Sequence, residues 1–131
     1  MDDVAFLRAF EDGTLPPDEL THRAHVRVGW LYLTRYGDDD GARRIDDALR
    51  RYVAAVGAAD RYHVTLTRVW IALVQHALRR GSHDGFDAFM AANPELGESR
   101  YVLRFYSEQR LWSEEARARF VAPDVRPLPT G

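Results

Sequence analysis

The spacing of the apolar residues is the feature that most constrains the fold of this chain. Apolar residues recur at intervals of three and four along nearly all of its 131 residues, as in the stripe formed by Ile45, Leu49 and Tyr52. No segment of useful length alternates apolar and polar residues as a half-buried strand would. The pattern therefore predicts an all-α fold, a compact single-domain bundle of five to seven helices spanning residues 1–131.

Glycine, proline and capping residues divide this pattern into elements. Gly37, Gly57 and Gly81 are residue types that end helices, and Asn93-Pro94 breaks one. The predicted helices cover about residues 3–11, 18 or 21 to 36, 40–56 and 60–80, a short stretch around 86–90, and residues 99–106 and 113–120. The proline-rich tail, about 123–131, is expected to be extended.

Composition excludes several kinds of chemistry. The chain has no cysteine and no lysine, and all 18 basic residues are arginine, so thiolate, Schiff-base and P-loop lysine chemistry are absent. A net charge of −2, without a broad basic patch, makes nucleic acid an unexpected partner. The acidic N-terminus is unlike a signal peptide and the longest apolar run is too short to span a membrane. We therefore expect a soluble cytoplasmic protein.

Three of the five histidines form the strongest candidate site. His22 and His25 are three residues apart on the second predicted helix, and so share a face. His63 falls in the first turn of the fourth predicted helix, on a face that continues into apolar residues. Three imidazoles with an open position can hold a catalytic transition metal, and imidazole suits zinc, iron, copper and nickel. Glu11 is the first choice for a fourth ligand or a base, and Asp18 the second.

Aromatic and polar residues near these histidines could line a substrate pocket. Tyr32 and Tyr62 are candidate catalytic residues that donate protons or hydrogen bonds, together with Glu11. The candidate substrate-binding residues are Arg23, Trp30, Thr67 and Trp70. The alternatives are core packing for the aromatic residues and a solvated helix face for the arginines.

Several motifs resemble those of a family of small bacterial proteins to which no activity is attached. They include Thr21-His22-Arg23-Ala24-His25, Trp30-Leu31-Tyr32-Leu33 and Tyr62-His63. The resemblance runs over most of the chain and implies that Glu11 and the three histidines belong together. The family favours an acidic residue after the Tyr-His pair, where this chain has Val64; if that acid supports the site in relatives, the site here is altered. A looser architectural similarity links the chain to the three-histidine metalloenzymes of the DinB-like group.

Two functions follow from these patterns. The first is a small metal-dependent enzyme of unknown reaction, in which His22, His25, His63 and Glu11 hold a divalent transition metal that acts on a small molecule. The second is a non-catalytic helical module that binds a ligand or a partner and uses its histidines structurally. A homodimer formed through an apolar helix face is compatible with either.

Overall fold

The computed structural model describes residues 1–130, which form seven α-helices, four short 3₁₀ helices and no strand. This confirms the predicted all-α class and its five to seven helices. The chain divides into two compact units, Met1–Tyr62 and His63–Gly131. The prediction of one domain over the whole chain stays a prediction. Within residues 1–130, no helix is long and apolar enough to cross a membrane.

The first unit contains three α-helices whose ends follow the local capping chemistry. They are α1 (Asp3–Asp12), α2 (His22–Tyr36) and α3 (Asp38–Ala55), with 3₁₀ turns at Pro17–Glu19 and Ala59–Arg61. Side-chain oxygens of Asp2 and Thr21 accept hydrogen bonds from backbone N–H groups in the first turns of α1 and α2. These caps explain why both helices begin close to where the sequence predicts.

A single glycine joins α2 to α3 and folds them into a hairpin. Gly37 has φ +86°, a conformation that glycine adopts without a steric penalty, and it directly follows α2 and directly precedes α3. Leu33 lies four residues before Gly37 and Gly41 lies four residues after it, and the two are in close contact. A Cβ atom at Gly41 would lie 2.9 Å from the backbone oxygen of Tyr32 and 3.0 Å from Cα of Leu33. The absence of a side chain at Gly41 therefore lets α3 approach the backbone of α2.

The connection from α1 to α2 is held by the far end of α3. Tyr52 donates a buried hydrogen bond of 2.6 Å from its hydroxyl to the carbonyl oxygen of Leu15, and its ring stacks on Phe10 at 5.1 Å between centroids. Phe10, Leu15 and Tyr52 are all buried. The hydrogen bond satisfies a buried loop carbonyl, which is costly to leave unpaired.

The second unit contains one long helix and several short ones. They are α4 (Val64–Arg80), α5 (Phe86–Ala92), α6 (Glu108–Leu111) and α7 (Glu114–Ala118), with 3₁₀ turns at Pro94–Gly97 and Ser99–Arg104. The predicted helix over 99–106 is thus a shorter 3₁₀ segment. The short α6 has no counterpart among the predicted helices.

Side chains at the start of α4 hold the C-terminal part of this unit. The hydroxyl of the buried Thr65 donates to the carbonyl of Arg119 at 2.8 Å and accepts from the N–H of Val121 at 3.1 Å. The hydroxyl of Tyr106 donates to the carbonyl of Val121 at 2.6 Å. Residues 123–130 contain no helix, as expected for the extended tail, and Gly131 lies outside the described residues.

We expect Gly41→Ala to destabilise the protein. Alanine ordinarily favours a helix over glycine by about 1 kcal/mol, but here its Cβ meets backbone atoms of Tyr32 and Leu33 that cannot rotate away. Overpacking of this kind costs about 1–3 kcal/mol, so the clash outweighs the gain in propensity. Urea unfolding measures the change.

The matched control is Gly81→Ala. Its φ of 165° is extended backbone and the nearest atom to an added Cβ is a side-chain nitrogen at 3.8 Å. The control should unfold like the parent protein, and a Gly41→Ala protein as stable as the parent would contradict the close approach of α2 and α3.

Candidate functional site

The predicted three-histidine metal centre is wrong. Among residues 1–130, no group of three or more histidine, aspartate or glutamate side chains could hold a metal ion. His22 and His25 lie in the first unit and His63 begins the second. The enzyme function built on this centre, with Glu11 as its fourth ligand, is overturned with it.

His63 has a structural task that occupies both ring nitrogens. It is the N-cap of α4, not a residue of its first turn, and its Nδ1 accepts the N–H of Leu66 at 3.0 Å. The other nitrogen, Nε2, lies 2.7 Å from the carbonyl oxygen of Leu111. These two partners assign the ring proton to Nε2, which donates it to Leu111. An imidazole bonded in this way has no lone pair left for a metal.

Protonation of His63 is disfavoured in the folded chain. Only 7% of the residue is exposed. Burial lowers the pKa of His63 below its ordinary value and the positive charge of Arg117 adds to this, while the bond to Leu111 opposes it. A proton on Nδ1 would also face the N–H of Leu66 in place of a lone pair. His63 is therefore a neutral capping residue at neutral pH.

His22 and His25 do share one face of α2, as their spacing predicts. The pKa of His25 is lowered to about 4. The larger cause is desolvation of the charged imidazole by the surrounding protein, and the smaller one is repulsion from the imidazole of His22. His25 nevertheless keeps an exposed surface. Water screens part of the effect there, so its protonation costs the fold less than that of a fully buried imidazole.

Glu11 and Tyr32 are brought together, but as a hydrogen-bonded pair and not around a metal. The hydroxyl of Tyr32 donates to Oε2 of Glu11 at 2.5 Å. Burial and this hydrogen bond both raise the pKa of Tyr32, while the guanidinium of Arg51 opposes them. Tyr32 thus stays a protonated donor that links α2 to the end of α1.

Two of the other predicted site residues, Tyr62 and Thr67, form hydrogen bonds with partners of their own. Tyr62 donates its hydroxyl to Asp46 and carries the guanidinium of Arg50 over its ring at 4.1 Å. Thr67 donates its hydroxyl to the carbonyl of His63 at 2.8 Å. Of the remaining candidates, Arg23 is exposed and Trp30 is buried. The ring of Trp70 lies 6.4 Å from the ring of Tyr101.

A charged pocket of about 290 Å³ lies beside the Glu11–Tyr32 pair, wholly within the first unit. α3 forms most of its wall with Asp40, Arg43, Arg44, Asp47 and Arg51. We call these seven residues together the charged pocket. Three carboxylates face three guanidinium groups, so the formal charge of the wall is zero at neutral pH.

Part of this wall is fixed by internal bonds. Asp40 pairs with Arg43 at 2.8 Å and with Arg44 at 3.1 Å, and both arginines lower its pKa. The guanidinium of Arg44 also lies 4.0 Å over the ring of Tyr36. Asp47 and Arg51 differ: across residues 1–130, neither forms a hydrogen bond or an ion pair. The pocket therefore offers a ligand one carboxylate and one guanidinium that form no hydrogen bond or ion pair within the described residues.

The residues of α3 were missed because their charges have an ordinary explanation. Acidic residues at 38–40 are typical of a helix start, and Asp47 with Arg51 is typical of a solvated i,i+4 pair. A signal was nevertheless present, since Asp40, Arg44, Asp47 and Arg51 are spaced by four, three and four residues, which places them on one face.

Comparison of the chain with protein-family models, with curated proteins and with solved structures found no significant match. The resemblance to small bacterial proteins stays a prediction.

We expect His63→Asn to retain the N-cap of α4 while removing the ionisable imidazole. Asparagine caps helices well, but it cannot replace the bond to Leu111, so the variant should lose about 1–3 kcal/mol at pH 7.5. A lowered folded-state pKa contributes stability that is complete above the unfolded value of 6.5 and is lost as pH falls below it. Denaturant unfolding should therefore show less loss for His63→Asn than for the parent between pH 7 and 5 (about the range of histidine titration). Parallel pH profiles would contradict the neutral cap.

We expect His22→Gln to raise the pKa of His25. Removing the second imidazole removes the repulsion, while the surrounding protein atoms remain, so the pKa should move toward 6.5 without reaching it. NMR titration of the His25 ring measures this shift. His83→Gln is the control, because it removes a histidine from the other unit, and an unchanged His25 midpoint in His22→Gln would contradict the shared face.

Proposed function

We propose that this chain is a non-catalytic binding protein whose ligand is a small polar molecule held in the charged pocket. The observation that carries the proposal is the pocket itself, a cavity of about 290 Å³ lined by seven hydrogen-bonding side chains from three helices. Its volume is close to the lower limit of about 300 Å³ for small-molecule sites. Convergent polar groups at fixed positions are what such sites use to orient a ligand.

The wall is positioned before any ligand arrives, which supports a binding role. Tyr32 is held by Glu11, and Arg44 is held between Asp40 and the ring of Tyr36. Side chains that are already ordered lose less conformational entropy on binding. A ligand bound beside these side chains would gain from this order.

The histidines support the same proposal, since the one buried histidine that the enzyme hypothesis required serves as a helix cap. The structural use of histidine is what the second hypothesis from the sequence predicts. A transition-metal cofactor, a homodimer and a cytoplasmic location remain predictions without a test.

Thermal unfolding in the presence of a library of small polar molecules tests the proposal. The library should include organic acids, amines, amino acids and sugars. We expect at least one compound to raise the melting temperature by several degrees, because a ligand at a hundred times its Kd stabilises the native state by about 2.7 kcal/mol.

The same measurement on two variants locates the site. Arg44→Gln removes a guanidinium from the wall of the pocket, and Arg35→Gln removes an exposed one on α2 outside it. The stabilisation should be lost or reduced in Arg44→Gln and kept in Arg35→Gln. A library without any stabilising compound, or equal stabilisation of both variants and the parent, would contradict the proposal.

A further inference from the structure

The charge pattern of the pocket narrows the class of ligand, on the assumption that the proposed function holds. A ligand with only negative charge would face three carboxylates in the wall, and one with only positive charge would face three guanidinium groups. A ligand that carries both charges can place each against its opposite. A wall with equal numbers of negative and positive groups therefore favours a ligand that carries one charge of each sign.

The two groups without partners define where the charges of the ligand would lie. Asp47 precedes Arg51 by four residues on α3, so one helical turn, about 6 Å along the axis, separates them. Neither forms a hydrogen bond or an ion pair across residues 1–130, although their spacing would allow them to pair with each other. A bound molecule can therefore lie between Asp47, which accepts hydrogen bonds, and Arg51, which donates them.

The opposite wall adds matching groups. Glu11 accepts from Tyr32 through Oε2, which leaves its second carboxylate oxygen as a further acceptor, and the hydroxyl oxygen of Tyr32 can accept as well. An ammonium group has three N–H donors, and Glu11, Tyr32 and Asp47 are candidate acceptors for them in the lining of the pocket. A carboxylate pairs well with a planar guanidinium through two parallel hydrogen bonds, which Arg51 can provide.

We propose that the charged pocket binds a small zwitterion of the amino-acid type, whose carboxylate pairs with Arg51 and whose ammonium group is held by Asp47, Glu11 and Tyr32. The volume of about 290 Å³ is sufficient for a single small molecule of this kind.

Calorimetric titration of the intact chain with the standard L-amino acids tests this inference. For each amino acid that binds, its N-acetyl derivative retains only the negative charge and its amide retains only the positive charge. We expect at least one amino acid to bind and both derivatives to bind about 10- to 100-fold more weakly, because each loses a charge-assisted hydrogen bond. Either derivative binding as tightly as its parent amino acid would overturn the inference.

Variants assign the two charges to their residues. Arg51→Gln and Asp47→Asn should each weaken amino-acid binding about tenfold or more. Arg35→Gln, an exposed position outside the pocket, should leave it unchanged. Both pocket positions are exposed, so these variants are expected to fold, and circular dichroism checks this. Unchanged affinity in either pocket variant would overturn the assignment.

Failure of this inference is distinguishable from failure of the proposed function. If no amino acid binds while another polar compound stabilises the parent and not Arg44→Gln, the zwitterion is wrong and the binding function stands. If no compound of either set binds, both are wrong.

Discussion

The close approach of α3 to α2 at Gly41 is the constraint on which the charged pocket depends. Gly37 reverses the chain in one residue, and the missing side chain at Gly41 lets the backbones meet. Asp40 and Arg44, on either side of that contact along α3, are thereby brought beside Tyr32 of α2. Two glycines thus position a set of charged side chains that no hydrophobic contact would organise by itself.

The role of His63 depends on where α4 begins, because a shift of this boundary by one residue changes the direction of its ring. A histidine inside the first turn of α4 would share a face with the apolar residues that follow it, whereas a histidine at the N-cap turns its ring back to the N–H of Leu66. The second ring nitrogen is then available to Leu111, which binds α4 to α6 within the second unit. The imidazole that suggested a metal site serves as a polar link in the fold.

Much of the fold could be predicted because its signals are local. Thr21 caps α2 and Gly37 ends it where the sequence places them, and the all-α class follows from the spacing of apolar residues. The helices near the C-terminus could not be placed as well, since α6 has only four residues and the segment Ser99–Arg104 is a 3₁₀ helix. Segments so short take their conformation from contacts distant in sequence, such as the bond from His63 to Leu111.

The candidate site was predictable only in part, for the same physical reason. The hydrogen bond between Glu11 and Tyr32 brings together two residues that the sequence analysis assigns to one candidate site, although the three-histidine centre expected with them was wrong. The charged residues of α3 have the composition of a solvated helix face, and only the path of α2 shows that Asp40 and Arg51 border a cavity. Sequence spacing places residues on one face but does not say what lies opposite.

The most direct test of a binding site in the first unit is a map of backbone-amide chemical shifts on addition of a ligand found by thermal unfolding. The account predicts saturable shifts concentrated at the end of α1, around Tyr32, and along α3 from Asp40 to Arg51. Shifts concentrated around His63 and α6, with the amides of α3 unmoved, would contradict it.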